Sequence, residues 1–312
     1  MALYVLICTF AQKQLMILIA DSGSTKTDWV LIAPNVQPSG TPIATFHTQG
    51  ITPIHQSPDV IRRILGQELM SQLSTFPRAS LVHSRILEAP LLSNIDVFFY
   101  GSGCTPTHVP MIRQMLGEVF SPQRIEVQSD LMAAARALCQ HEAGIACILG
   151  TGANSCLYDG EHIVQNTPAL GYILGDEGSG SVLGRLFLNA IFKNPQFADV
   201  RDDYLAVSGF TQADIIKRVY NEPMVNRFLA TTSLYIAEHL DNPLLVRLVV
   251  DNFRQFFRSN LTPYHHQDLP VHFVGSMAST YQEQLHEAAA AEGYTVGHIM
   301  QSPLEGLMVY HQ

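Results

Sequence analysis

Apolar and polar positions along this chain fall into blocks that run through the same succession twice. Residues 16–20, 28–33 and 41–47 read as three short strands separated by turns that hold Gly and Pro. A helical period follows over 59–73. IDVFFYGSG (95–103) is an apolar run ending in small residues, the pattern of a buried strand that feeds a loop. Residues 111–120 return to a helical period and RIEV (124–127) to a strand. The succession then restarts. LMAAARALC (131–139) reads as a helix, IACILGTGANSCLYDG (145–160) as two strands around a GTG turn, and HIVQ (162–165) as a third strand. Residues 176–192 read as a helix with a glycine-rich start, and 199–260 as helix broken at Gly209, Pro223 and Pro243. VHFVG (271–275) is a strand, 280–291 a helix, YTVG (294–297) a last strand and PLEGLMVYH (303–311) a closing helix.

Three strands and then α/β units, twice over, predict two related α/β halves, and 312 residues suit two domains. No self-similarity at a 20–50-residue period is visible, which excludes a solenoid. The boundary is expected in the polar, Pro-bearing stretch 105–125, with the first domain ending at 118 and the second running over 119–301 with a helical insertion.

Composition narrows the classes. With 47% apolar and 14% charged residues, the chain is an ordinary globular sequence. A net charge of −9 argues against nucleic acid, which would call for a basic face. The five cysteines (Cys8, Cys104, Cys139, Cys147, Cys156) form no C-x-x-C pair and suit buried thiols in a reducing cytoplasm. The apolar run inside residues 1–15 is about ten residues, too short to span a bilayer. It also lacks the positive start of a signal peptide. Residues 1–15 therefore read as an extension ahead of a fold that starts at Met16, and the protein is expected in the cytoplasm, without a membrane partner.

Candidate chemistry lies in three turns. Phosphate loops work through backbone N–H groups, which small residues bring close to the oxygens. DSGSTKT (21–27) and GTGAN (150–154) each lie between apolar strands at the start of one half, and GSMAS (275–279) follows a late strand. Together they predict a nucleotide held between the two halves. Asp21 ends a strand beside the first turn, where a carboxylate would position Mg²⁺, directly or through water. Asp130, in VQSDLMAAA, has two readings: a helix N-cap, or a base that takes the proton of a hydroxyl attacking ATP. Asp176 and Glu177, in LGDEGSGS, read as caps or as contacts to sugar hydroxyls. Lys26 is not the lysine of a Walker site, since GxxxxGK[ST] is absent. His265 and His266 have no third ligand at a zinc spacing and read as surface loop.

ADSGSTKTDW, VQSD, ILGTGANS, LGDEGSGS, HFVGSMAS and SPLEGL, in that order, resemble the motifs of the sugar kinase, actin and heat-shock ATPase superfamily. Within it the chain resembles the BadF/BadG-type ATPases that include N-acetylglucosamine kinases. The resemblance implies an α/β protein of two ribonuclease-H-like (actin-like ATPase) domains around a nucleotide cleft. It also implies a closing helix (302–312) that packs on the first domain. ATP and Mg²⁺ are the implied cofactors, an amino sugar the implied substrate and a homodimer the implied assembly. By position, Ser24, Thr25, Lys26, Gly150, Thr151, Gly152, Gly275, Ser276 and Ala278 are implied to hold the nucleotide, with Ala278 near the adenosine. Thr52, Ala169, Leu170, Gly171 and Asp176 are implied to face the sugar, Asp130 to be the catalytic base and Asp21 the metal residue. Hexosamine kinases of this type often carry Asn where this chain has Thr52 and Trp where it has Leu170, which leaves the amino sugar open. The rival within the family is an activator ATPase of 2-hydroxyacyl-CoA dehydratases, with an iron–sulfur cluster on cysteines near the second phosphate motif; here Cys147 and Cys156 flank that motif.

Overall fold

The computed structural model describes residues 16–33, 41–75, 95–120, 122 and 124–312; the expected extension 1–15 lies outside them. The chain divides into two compact units. Unit one holds the described residues up to Ala133 together with Leu304–Gln312, and unit two is Ala134–Pro303. The division falls inside the helix Asp130–Cys139.

Unit one is built on a five-stranded sheet of order β3-β2-β1-β4-β5. Its strands are β1 (Met16–Ser22), β2 (Lys26–Ile32), β3 (Ala44–Gln49), β4 (Ile95–Gly101) and β5 (Ile125–Ser129). The first three are antiparallel neighbours, whereas β4 runs parallel to β1 and β5 parallel to β4. The central β1 is buried along both faces, which is why MILIA is a continuous apolar run rather than an alternating one. One face carries Leu18, Trp29, Val97 and Phe99 into a core filled by the helical segment 58–75 and the helix Val109–Phe120. Burying a side chain such as Phe99 contributes roughly 1.5–3 kcal/mol. The indole N–H of Trp29 is satisfied inside that core by Thr48 Oγ1 at 3.1 Å. On the other face, the Phe98 ring packs tilted against His311 with centroids 3.8 Å apart, and Tyr100 Oη bonds to His311 Nε2 at 2.8 Å. The closing helix Leu304–Tyr310 is thereby seated on unit one.

Unit two repeats the plan. Its strands are β6 (Gly144–Leu149), β7 (Ala153–Tyr158), β8 (Ile163–Gln165), β9 (Val271–Val274) and β10 (Val296–Met300). The order β10-β9-β6-β7-β8 is that of unit one read from the opposite edge, with β6, β7 and β8 antiparallel and β9 and β10 added in parallel. Ile145, Cys147, Leu149, Val271 and Phe273 face a core closed by helices from 180 to 261. That helical insertion between β8 and β9 is the main difference in plan.

Two local readings shift. Residues 176–179 form a turn, and the helix starts at Gly180, because Ser179 Oγ accepts from Val182 N–H and caps it. GSMAS passes straight into the short helix Ser276–Thr280. Among the described residues no helix is long and apolar enough to cross a membrane.

Candidate active site

The first turn is fixed from beneath and exposed above. Ser22 and Thr27, both buried, share a hydrogen bond of 2.6 Å. Ser22 Oγ also accepts from Ile51 N–H at 2.9 Å, and Thr27 Oγ1 donates to Gln49 O at 3.1 Å. The tip, Gly23 to Lys26, stays exposed, with Gly23 N–H closing on Lys26 O at 3.0 Å. Gly50 lies against it so closely that a Cβ there would sit 2.3 Å from Gly23 O. Sequence reasoning assigned Gly50 no role; its requirement is visible only once the two loops are packed.

Acidic groups gather at the ends of β1, β2 and β5. Asp21 is paired with Asp28 across β1 and β2, and Lys26 Nζ lies 2.7 Å from Asp28 Oδ2. Burial, then the charges of Asp130 and Asp28, push the Asp21 carboxyl up to about 7, with Lys26 opposing. Asp130 follows β5, which is paired with β4 through Ser129 and Gly101. Ser129 Oγ accepts from Met132 N–H at 3.2 Å, so the serine does the capping and Asp130 is released from it. Burial raises the Asp130 carboxyl, opposed first by the Leu131 N–H, which donates to Asp130 Oδ1 at 2.8 Å.

Two half-buried carboxylates that disfavour each other's charge fit a hard divalent cation. Mg²⁺ usually takes one or two carboxylates and keeps several waters. No group of three or more His, Cys, Asp or Glu poised for a metal occurs among the described residues, so a closed protein cage is not what this donor set builds. Nearby, Thr52 is buried with its Oγ1 unpartnered, and its N–H is held by Gln56 Oε1 at 2.9 Å. A buried hydroxyl without a partner costs about 1–3 kcal/mol, a cost that a ligand can offset.

Unit two assembles a set of its own. Gly150 N–H bonds to Gly152 O at 3.0 Å, and the helix Gly180–Lys193 ties its first amides to Gly150 O and Thr151 O. A Cβ on Gly150 would meet nothing within 4 Å, whereas one on Gly152 would lie 3.1 Å from Asp176 Oδ2. Asp176 adopts φ 54°; burial raises its carboxyl, opposed by the Ala153 backbone amide. It caps no helix. Glu177 Oε2 accepts from Asn260 Nδ2 at 3.3 Å. Gly275, at φ 122°, sits against the same turn: a Cβ would be 2.3 Å from Leu149 O. Ser276 is exposed and Ala278 lies beneath it, wholly buried in the core. Ala169, Leu170 and Gly171 are exposed and lead into a one-turn helix, Gly171–Leu174, that the sequence pattern did not predict.

Cys147 and Cys156 are fully buried, and strand register sends them to opposite faces of the sheet, since Cys156 pairs with Ala146 and Cys147 with Ser155. Burial holds both thiols far from the thiolate form, Cys156 near 12. The two side chains do not converge on one ligand site. His265 and His266 lie in an exposed loop.

Two units of one strand order, each with a small-residue turn after its first strand, define the two-domain actin-like ATPase fold. No family model and no curated protein matches the chain. Among solved structures, a Porphyromonas gingivalis protein provisionally named N-acetylglucosamine kinase is 45% identical over 95% of this chain and 98% of its own, with a TM-score of 0.83. The chain belongs to the family of that protein. The corresponding Chromobacterium violaceum protein, 22% identical over 96% and 100% of the two chains, gives a TM-score of 0.64. A ROK hexokinase from Thermus thermophilus, 16% identical over 95% and 97%, gives 0.52. These last two speak to the fold alone.

Proposed function

We propose that this protein is an ATP-dependent kinase of the BadF/BadG type that phosphorylates a hydroxyl of an amino sugar, with N-acetylglucosamine the first candidate. The observation that carries the reading is the state of Asp130: its helix is capped by Ser129, and its own carboxylate is held beside Asp21 at the end of the sheet. The provisional name of the 45%-identical relative supports the same activity.

Asp130 is the base. It orients the sugar hydroxyl and accepts its proton late, as the oxygen bonds to the γ-phosphorus, the β–γ bridge breaks and ADP leaves. Amides of the exposed tip, with Ser24, Thr25 and Lys26, face phosphate oxygens. Gly150, Thr151 and Gly152 do the same, and Gly275 and Ser276, backed by Ala278, take the adenosine side. Asp21 would hold Mg²⁺, which when bound offsets phosphate charge. Thr52, Ala169, Leu170, Gly171 and Asp176 face the sugar; the unpartnered Thr52 hydroxyl supports this for its own position. The protein acts in the cytoplasm as a homodimer. ADP release with Mg²⁺-ATP and a panel of glucosamine, N-acetylglucosamine, N-acetylmuramic acid and plain hexoses tests the proposal. Turnover with an amino sugar is expected, and hydrolysis indifferent to every sugar would overturn it.

A further inference from the structure

Every residue of unit two proposed to face the sugar lies on one segment, Ala169 to Asp176, whose middle is largely exposed. Both ends of that segment are fastened to a single short stretch far along the chain, Asn260 to Tyr264. At the front, Thr167 N–H donates to Tyr264 Oη at 3.0 Å, and Thr167 Oγ1 donates to Asn260 O at 2.8 Å. At the back, Asn260 Nδ2 donates to Glu177 Oε2 at 3.3 Å, and Gly178 N–H to Asn252 Oδ1 at 3.1 Å. The stretch that receives these bonds is itself fixed. Tyr264 is buried, and its hydroxyl shares a hydrogen bond of 2.7 Å with Ser155 Oγ, fully buried on β7. Asn260 is also buried and sits in a π-helical turn, Phe257–Leu261, that ends the helix Pro243–Phe256. Such turns are rare breaks in helical geometry and recur at functional sites. This one, with the 3₁₀ turn Thr262–Tyr264 after it, presents the carbonyl and amide of Asn260 and the phenol of Tyr264 together to the segment.

We infer that Thr167, Asn260 and Tyr264 are positioning residues for the amino sugar: they clasp both ends of the segment, so that Ala169, Leu170, Gly171 and Asp176 meet the sugar in one fixed arrangement. The inference rests on the kinase reading and adds to it residues that act through the segment rather than on the substrate. A clasp of this kind works by preorganisation, since a segment already held in place loses less conformational entropy when a ligand binds. Its effect falls on the sugar and not on ATP, because its bonds join the segment to the core of unit two and leave Gly150, Thr151 and Gly152 untouched.

The test is steady-state ADP release by the full chain with Mg²⁺-ATP and whichever sugar of the panel turns over fastest, with KM for sugar and KM for ATP read separately. Hydrogen exchange over residues 166–174 is followed on the same proteins. T167V and Y264F are each expected to raise KM for the sugar roughly 5- to 10-fold, the scale of one lost hydrogen bond, with kcat and KM for ATP unchanged. Exchange in the segment quickens in both. T167S, which keeps the hydroxyl, retains the wild-type KM. Y235F removes another buried phenol bond of unit two, to Asp203 Oδ2 at 2.7 Å, and is expected to lower the thermal midpoint while leaving KM for the sugar alone. Wild-type KM for the sugar in both T167V and Y264F, an equal rise in Y235F, or a parallel rise in both KM values would overturn the inference and leave the kinase standing. Wild-type protein that turns over no sugar overturns both.

Discussion

The two units share a strand order and a turn after the first strand, yet only one of the two turns carries charge within it. DSGSTKT carries Asp21 and Lys26, with Asp28 just beyond; GTGAN carries none. Backbone amides can receive phosphate oxygens in either turn, since that task needs small residues and no charge. Handling a cation and a proton needs carboxylates; Asp21 and Asp130 lie at strand ends of unit one, whereas the Asp176 carboxyl reaches the turn of unit two from a later segment. On the proposed function, one scaffold used twice separates holding from reacting.

The strongest way to break this contrast is Asp130→Asn. It is expected to lower kcat by roughly 10²- to 10⁴-fold while ADP still raises the thermal midpoint as in wild type. Comparable loss of nucleotide stabilisation would show that unit one's acid serves binding. Next come the glycines. Gly275→Ala puts a Cβ 2.3 Å from Leu149 O and should cost about 1–3 kcal/mol in denaturant unfolding. Gly150→Ala meets open space, so it should leave stability within about 0.5 kcal/mol and raise KM for ATP instead.

Acid should separate the units further. Burial, with His298 beside it, lowers His272 in unit two from an ordinary 6.5 to about 4, so the unfolded chain binds the extra proton and stability is lost as pH falls through that window. Asp159, Asp214 and Glu292 are lowered too and act in the same sense, with Asp176 opposing. In unit one Asp21, Asp96 and Asp130 are all raised, so the folded state binds more protons above the ordinary carboxylate range and gains relative stability as pH falls. Hydrogen exchange at pH 7 and pH 5 without Mg²⁺ should show protection lost first in unit two; loss first in unit one would reverse the assignment. The smallest effect concerns caps. Ser129→Ala and Ser179→Ala should each cost about 1 kcal/mol, and only Ser129→Ala, by returning Asp130 to the helix end, should also lower kcat.

Much of this was legible in residue order. Continuous apolar runs marked β1 and β4 because both strands are buried along their whole length, and the doubled succession of blocks corresponds to two sheets of one order. Local chemistry left one choice open. VQSD offers two capping residues in a row, and only the bond from Met132 N–H to Ser129 Oγ decides between them. Gly50 and the Tyr100–His311 pair were invisible, because each owes its role to a neighbour brought in from elsewhere in the chain. The one-turn helix Gly171–Leu174 is too short to leave a periodic signal.

The seating of Leu304–Gln312 on unit one has a consequence for synthesis. Unit one opens the described chain and is completed by residues made after the whole of unit two. During translation, unit two therefore has every strand it needs by Met300, while Phe98 and Tyr100 still lack His311. The half begun first is finished second, and until then it presents bare aromatic surface to the chaperones that meet a nascent chain.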